Sequence, residues 1–191
     1  MKSVKVVIAT LALGLITFAG VAAPKVVNVN KSASSIAWLA KKVTGEHNGT
    51  VGISAGALNI DGNKLVGGNF TIDLKTIKDL DITDPGYNQK FIGHITSGDF
   101  FEVEKFPTAT FVITKVAGNQ VTGNLTVKGI TKSINFPAEI SVKGGKLTAK
   151  ANITIDRTDF NIKYGSKKFF ESIGDKAIYD DFALTVSLVS E

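Results

Sequence analysis

The chain has 191 residues, a formal net charge of +5, 43% hydrophobic residues, no cysteine and two histidines. Without cysteine there is no disulfide, no thiol nucleophile and no thiolate metal site. Lysines and acids are interspersed, so no basic block marks a nucleic-acid partner.

Lys2 and Lys5 precede an uncharged apolar run at residues 6–18 and a small-residue stretch ending in Ala22-Ala23. That order is the pattern of a secretory leader. Its apolar run is too short to span a bilayer, which takes about 20 residues. We therefore expect cleavage near Ala22, no membrane anchor afterwards, and residues 23–191 as one exported domain, periplasmic or secreted.

Residues 26–30 alternate weakly and read as a short first strand; residues 35–42 then place Ile36, Trp38 and Ala40 on one face. In the next strand, residues 49–60, Val51, Ile53, Ala55 and Ala57 share a face, and Leu58 and Ile60 imply a bulge that shifts the register. Asp61-Gly62-Asn63 is a hairpin turn into a strand over 65–74, whose Phe70, Ile72 and Leu74 alternate with polar residues. Residues 75–83 are irregular. Asp84-Pro85 then starts a helix, with Asp as N-cap and Pro at the first position. Tyr87, Phe91 and Ile95 give that helix a turn-spaced apolar stripe.

Residues 97–107 end the helix and carry Phe100-Phe101 and Phe106-Pro107, which reads as a covering element tied to a sheet. Four strands follow, joined by turn signals near Gly118, Gly129 and Gly144-Gly145. Ile134, Phe136, Ala138, Ile140 and Val142 face one way; Leu147, Ala149, Ala151, Ile153 and Ile155 answer them. Residues 157–176 break the pattern with aromatics and lysines, a length of irregular chain that usually serves function. A last strand carries Phe182, Leu184, Val186 and Leu188 on one side.

About eight long strands with one apolar face each, and one short helix, predict an all-β fold: an up-and-down antiparallel barrel of about eight strands with one covering helix. A barrel of that size is filled by its own side chains or holds one small ligand. Ala55, Ala57, Ala138, Ala149 and Ala151 are small for a packed core, whereas Trp38, Phe70, Phe111 and Phe136 are large enough to fill it. The pattern leaves both readings open.

The stretches that carry a resemblance run in order along the chain: Ser35-Ile36-Ala37-Trp38, Thr44-Gly45-Glu46-His47-Asn48-Gly49, Gly93-His94 with Asp99-Phe100-Phe101, and Phe106-Pro107-Thr108-Ala109-Thr110-Phe111. Gly123-Asn124-Leu125-Thr126-Val127-Lys128-Gly129-Ile130-Thr131-Lys132, Asp156-Arg157-Thr158-Asp159-Phe160 and Asp175-Lys176-Ala177-Ile178-Tyr179-Asp180-Asp181 complete the set. Together they resemble the YceI-like family of polyisoprenoid-binding proteins over the whole mature chain. The resemblance implies an extended lipocalin-like barrel, exported to the periplasm, holding an isoprenoid quinone, polyprenyl phosphate, fatty-acid derivative or similar amphiphile. It implies no cofactor beyond that lipid and no catalysis; a homodimer is compatible with it.

On that basis the expected lining is Trp38, Ile53, Phe70, Ile72, Phe111, Leu125, Phe136, Ala149, Ile153 and Leu184 from the strands, with Phe91 and Ile95 from the helix. Arg157, Lys163 and Tyr164 are the head-group candidates, because cationic side chains pair strongly with phosphate when partly desolvated. Arg157 equally suits a strand-end ion pair. The alternative function is a secreted stress-response or interaction module with a packed, ligand-free barrel.

Two motifs point elsewhere. Gly52-Ile53-Ser54-Ala55-Gly56 matches G-x-S-x-G, but a nucleophile elbow needs a strand-turn-helix context, and this one lies inside an alternating strand. His94 with Ser97 and Asp99 resembles a catalytic grouping, yet the same residues serve to hydrogen-bond and cap a helix end. Two histidines are too few for a three-histidine metal site, though carboxylates could complete one; no metal ligand is assigned.

Overall fold

The computed structural model describes residues 23–191; the leader expected at residues 1–22 lies outside the described residues. The strands are β1 (Lys25–Asn28), β2 (Ser35–Lys42), β3 (Gly45–Asp61), β4 (Lys64–Asp79), β5 (Thr108–Ala117), β6 (Gln120–Val127), β7 (Ile130–Lys143), β8 (Lys146–Asp156) and β9 (Ile178–Val189). Helix α1 (Pro85–Thr96) connects β4 to β5. Hairpin neighbours pair in chain order from β3 to β9, and β2 closes the circle between β9 and β3. The result is an eight-stranded antiparallel barrel with β1 added.

β1 completes a seam rather than extending an edge. Ile36 of β2 pairs with Val51 at one end of β3, while Val27 of β1 pairs with Leu58 towards the other. β1 thus continues the row that β2 leaves unfinished, and Val29 bridges to Ser190 beyond β9.

The inward faces follow the period of two that a pleated strand imposes. Opposite one another across β7 and β8 stand Ala138 and Ala151, Ile140 and Ala149, and Val142 and Leu147. Outward positions on the same strands are Ser133, Glu139, Lys150 and Thr154, all exposed. Apolar inside and polar outside is the reverse of a barrel that spans a membrane. Among the described residues, no helix is long and apolar enough to cross one.

β3 departs from the expected register. Ile53 pairs with Ile72 and Ala55 with Thr71, so Ser54 is an extra residue and the bulge falls there, earlier than Leu58. A one-residue shift turns the following side chains over. Ala55 is therefore exposed and Ala57 faces outward, whereas Gly56 and buried Leu58 point inward. The small inward residue here is a glycine, not the alanines. β4 also runs further than its alternation suggests. The register jumps from Gly52 opposite Asp73 to Thr50 opposite Lys78, and the Thr76 hydroxyl fills the irregularity by accepting from Gly52 N (2.7 Å) and donating to Asp73 O (2.6 Å).

Helix α1 begins as expected, with the Asp84 carboxylate accepting from Tyr87 N. Its apolar stripe is shorter than expected. Tyr87 is 67% exposed, and Lys90 lies over its ring, while Phe91 and Ile95 face the barrel. Asn88 takes the inward place one turn before, donating to Asp79 and Ile82 of the preceding segment.

Candidate functional site

The interior holds two cavities, about 140 Å³ at the helix end and about 70 Å³ towards the other. Ile36, Ile72, Leu125 and Leu184 border both and form a waist between them. Neither cavity exposes a polar atom to the space inside. Phe100 and Phe101 of the covering segment line the upper chamber with Phe91 and Ile95, so α1 and the start of that segment lie across this end. Phe101 N donates to Ile95 O and Val103 N to Thr96 O, which ties that segment to the helix.

Two glycines shape the walls by letting aromatic rings lie against backbone, as often happens where a strand glycine neighbours an aromatic. Trp38 covers Gly49 and Phe111 covers Gly123, while Gly56, opposite Phe70, makes room for the Val29 side chain. Phe70 stacks on Phe111 at 5.4 Å, and Phe111 meets Phe136 at 5.6 Å. This aromatic row borders the lower chamber, beside Ala138, Ala149 and Ala151.

The structure places the expected lining residues as follows. Trp38, Phe91 and Ile95 border the upper chamber; Phe70, Phe111, Phe136, Ala149 and Ile153 border the lower; Ile72, Leu125 and Leu184 border both. Ile53 is buried in the wall but lines neither chamber. The lining also includes Ile36, Ala40 and Phe182, which share faces with Trp38 and Leu184, so the strand alternation itself pointed to them. Leu74 shares its face with Phe70 and Ile72, whereas Ile77 lies in the β4 irregularity, where no period is readable.

The three head-group candidates do not converge. Arg157 borders the upper chamber but is only 4% exposed, and its guanidinium is occupied by the fold. Nε donates to Tyr179 O (3.1 Å), Nη1 to Ile162 O (2.8 Å), and Nη2 to Ile178 O (3.1 Å) and Asp180 Oδ1 (3.3 Å). Burial pushes this group below its ordinary value, opposed by the charges of Asp180 and Asp156; a guanidinium stays charged regardless. Lys163 is exposed and lies over the Phe169 ring at 4.8 Å. Tyr164 is 45% exposed and packs edge-on against His94 at 4.6 Å, outside both cavities. Of the alternatives for Arg157, its contacts are those of the strand-end pair.

Neither catalytic-looking motif is arranged for chemistry. Ser54 donates to Thr71 O at the bulge. Ser97 Oγ donates to His94 O (2.7 Å) as a helix-end contact, and His94 Nε2 lies 3.3 Å from Asp99 Oδ2 with Phe100 and Tyr164 against its ring. Among the described residues, one group of His and acidic side chains is close enough to share a cation: His47, Asp79 and Asp81.

An antiparallel barrel closed around a carbon-lined interior, with a helix across one end, defines a barrel of the lipocalin-like kind. The chain belongs to the YceI-like domain family, which it matches over residues 27–190. Burkholderia cenocepacia BcnA resembles it with 25% identity and a TM-score of 0.66, over 85% of this chain and 99% of that one. A polyisoprenoid binding domain from Saccharophagus degradans, implicated in plant cell wall breakdown, shares the fold at 13% identity and a TM-score of 0.62, over 86% and 97%. A UPF0312 protein of Pseudomonas aeruginosa is 38% identical over 80 residues, 37% of this chain and 42% of that protein. The match thus spans about two fifths of that relative.

Proposed function

We propose that the protein binds a long-chain amphiphile, an isoprenoid or similar lipid, with its tail in the barrel and no covalent chemistry. The observation that carries this reading is an interior with two adjoining cavities that expose only carbon. Interiors are normally close-packed, with few voids, and a dry apolar cavity of about 150 Å³ takes up benzene. A packed, ligand-free barrel has no reason to keep such space. The polyisoprenoid-binding domain that shares this fold is consistent with the reading.

Affinity comes from removing the tail from water, about 8 kcal/mol for ten methylenes. A tail longer than the upper chamber must push Ile36, Ile72, Leu125 and Leu184 apart to reach the lower one. The head group then stays at the helix end. The leader pattern at residues 1–22 supports a carrier that works in the periplasm or outside the cell, where a lipid in transit between membranes needs shielding.

Native mass spectrometry and organic extraction of protein purified from its own source test this directly. The expected result is a co-purifying amphiphile with a long apolar tail. Protein that is repeatedly lipid-free, and also takes up no cis-parinaric acid, would overturn it.

A further inference from the structure

His47, Asp79 and Asp81 meet at the rim of the barrel, where β3 begins and β4 hands over to α1. Their ligand atoms lie within 4.8 Å of one another. His47 Nδ1 is 2.9 Å from Asp81 Oδ2 and 3.9 Å from Asp79 Oδ2.

Asp79 is the informative member. Its side chain is fully buried, yet Oδ2 has no hydrogen-bond partner among the described residues. The 3.9 Å to His47 Nδ1 is too long for a hydrogen bond. Buried polar atoms are otherwise nearly always paired.

Each carboxylate is also held in the way metal-bound carboxylates are held. Asp79 Oδ1 accepts from Ile82 N (2.8 Å) and Asn88 Nδ2 (3.3 Å); Asp81 Oδ1 accepts from Asn48 N (2.7 Å). In both, one oxygen is fixed by outer donors and the other points at His47, which is the supporting shell a cation site requires. The His47 ring is itself held against Phe91 at 4.6 Å.

We propose that His47, Asp79 and Asp81 bind one divalent transition-metal ion, Zn²⁺ in the first instance. A neutral imidazole and two carboxylates balance its charge, and the set leaves a fourth position open. One nitrogen and two oxygens at about 2.0–2.2 Å are ordinary for zinc; side-chain shifts below about 1 Å bring the three atoms to that distance. Loading the ion replaces the direct contact between Nδ1 and Asp81 Oδ2. The site links the start of β3 to the segment between β4 and α1, independently of any lipid.

The test is calorimetric titration of untagged, chelator-stripped protein with Zn²⁺, with thermal unfolding alongside. We expect one ion per chain and a higher Tm with Zn²⁺. His47→Gln and Asp81→Asn should each weaken binding at least tenfold, Asn88→Ala about tenfold, and His94→Gln should leave it unchanged. Absence of stoichiometric binding in the wild type overturns the proposal. So does wild-type affinity in Asp81→Asn, an exposed position that keeps the comparison available if His47→Gln fails to fold.

Discussion

Trp38 lies across Gly49, its direct partner between β2 and β3, so closely that a Cβ on residue 49 would stand 2.5 Å from Trp38 Cζ2 and 1.8 Å from Lys78 O. The backbone oxygen cannot yield as a side chain can. Overpacking in a fitted interior costs about 1–3 kcal/mol, and this site belongs at the upper end. Gly49→Ala should therefore lower the urea midpoint by an amount equivalent to about 3 kcal/mol. It should also perturb Trp38 fluorescence, since the indole Nε1–H donates to Thr50 O next to the glycine.

Arg157 behaves as a structural residue in its contacts. Replacing it with Met removes the donor to three backbone carbonyls and the partner of Asp180. Breaking a buried pair of this kind costs about 3–5 kcal/mol. Urea unfolding of Arg157→Met should show a loss of that size. A variant of wild-type stability that binds charged amphiphiles poorly would instead assign Arg157 to the head group.

The 157–176 connection is pinned to the barrel by Lys168, whose ammonium pairs with the Asp156 carboxylate and also faces Asp180. Burial raises the Asp156 carboxyl, but hydrogen bonds from Lys168 and Thr158 outweigh it and hold the group below its ordinary value of 3.8. A depressed carboxylate contributes stability that is present above the unfolded value and is lost as pH falls through the folded one. The stability difference between wild type and Lys168→Ala should therefore be constant from about pH 5 to 8 and shrink below about pH 4. Denaturant midpoints across that range measure it.

How far the sequence carries the reader depends on whether a feature is local. β7 and β8 alternate without interruption, so their inward residues are readable one by one, and the helix start at Asp84-Pro85 is equally local. The bulge at Ser54 is not, because what forces it is the partner strand: Ile53 opposite Ile72 and Leu58 opposite Gly68 demand one extra residue between them. Misplacing it by a few residues inverted Ala55 and Ala57. Arg157 is ambiguous in the sequence because two of its backbone acceptors, Ile178 and Tyr179, arrive with β9 some twenty residues on. The grouping of His47 with Asp79 and Asp81 needed the pairing of Gly49 with Asp79, which no motif announces.

The waist makes the binding hypothesis selective for chain length. Leu184 pairs with Trp38 on one side and Ile153 on the other, and it borders both chambers. Leu184→Trp puts a larger side chain where a long tail must pass. Overpacking there costs about 1–3 kcal/mol of stability, so the barrel should still fold, which a melting curve verifies. Each methylene shut out of the lower chamber forfeits about 0.8 kcal/mol, so excluding two costs more than tenfold in affinity. A long-chain fluorescent fatty acid should bind Leu184→Trp at least tenfold more weakly. Octanoate, short enough for the upper chamber, should change less than about twofold by this accounting. Equal losses for both probes would mean that the tail does not run through the waist.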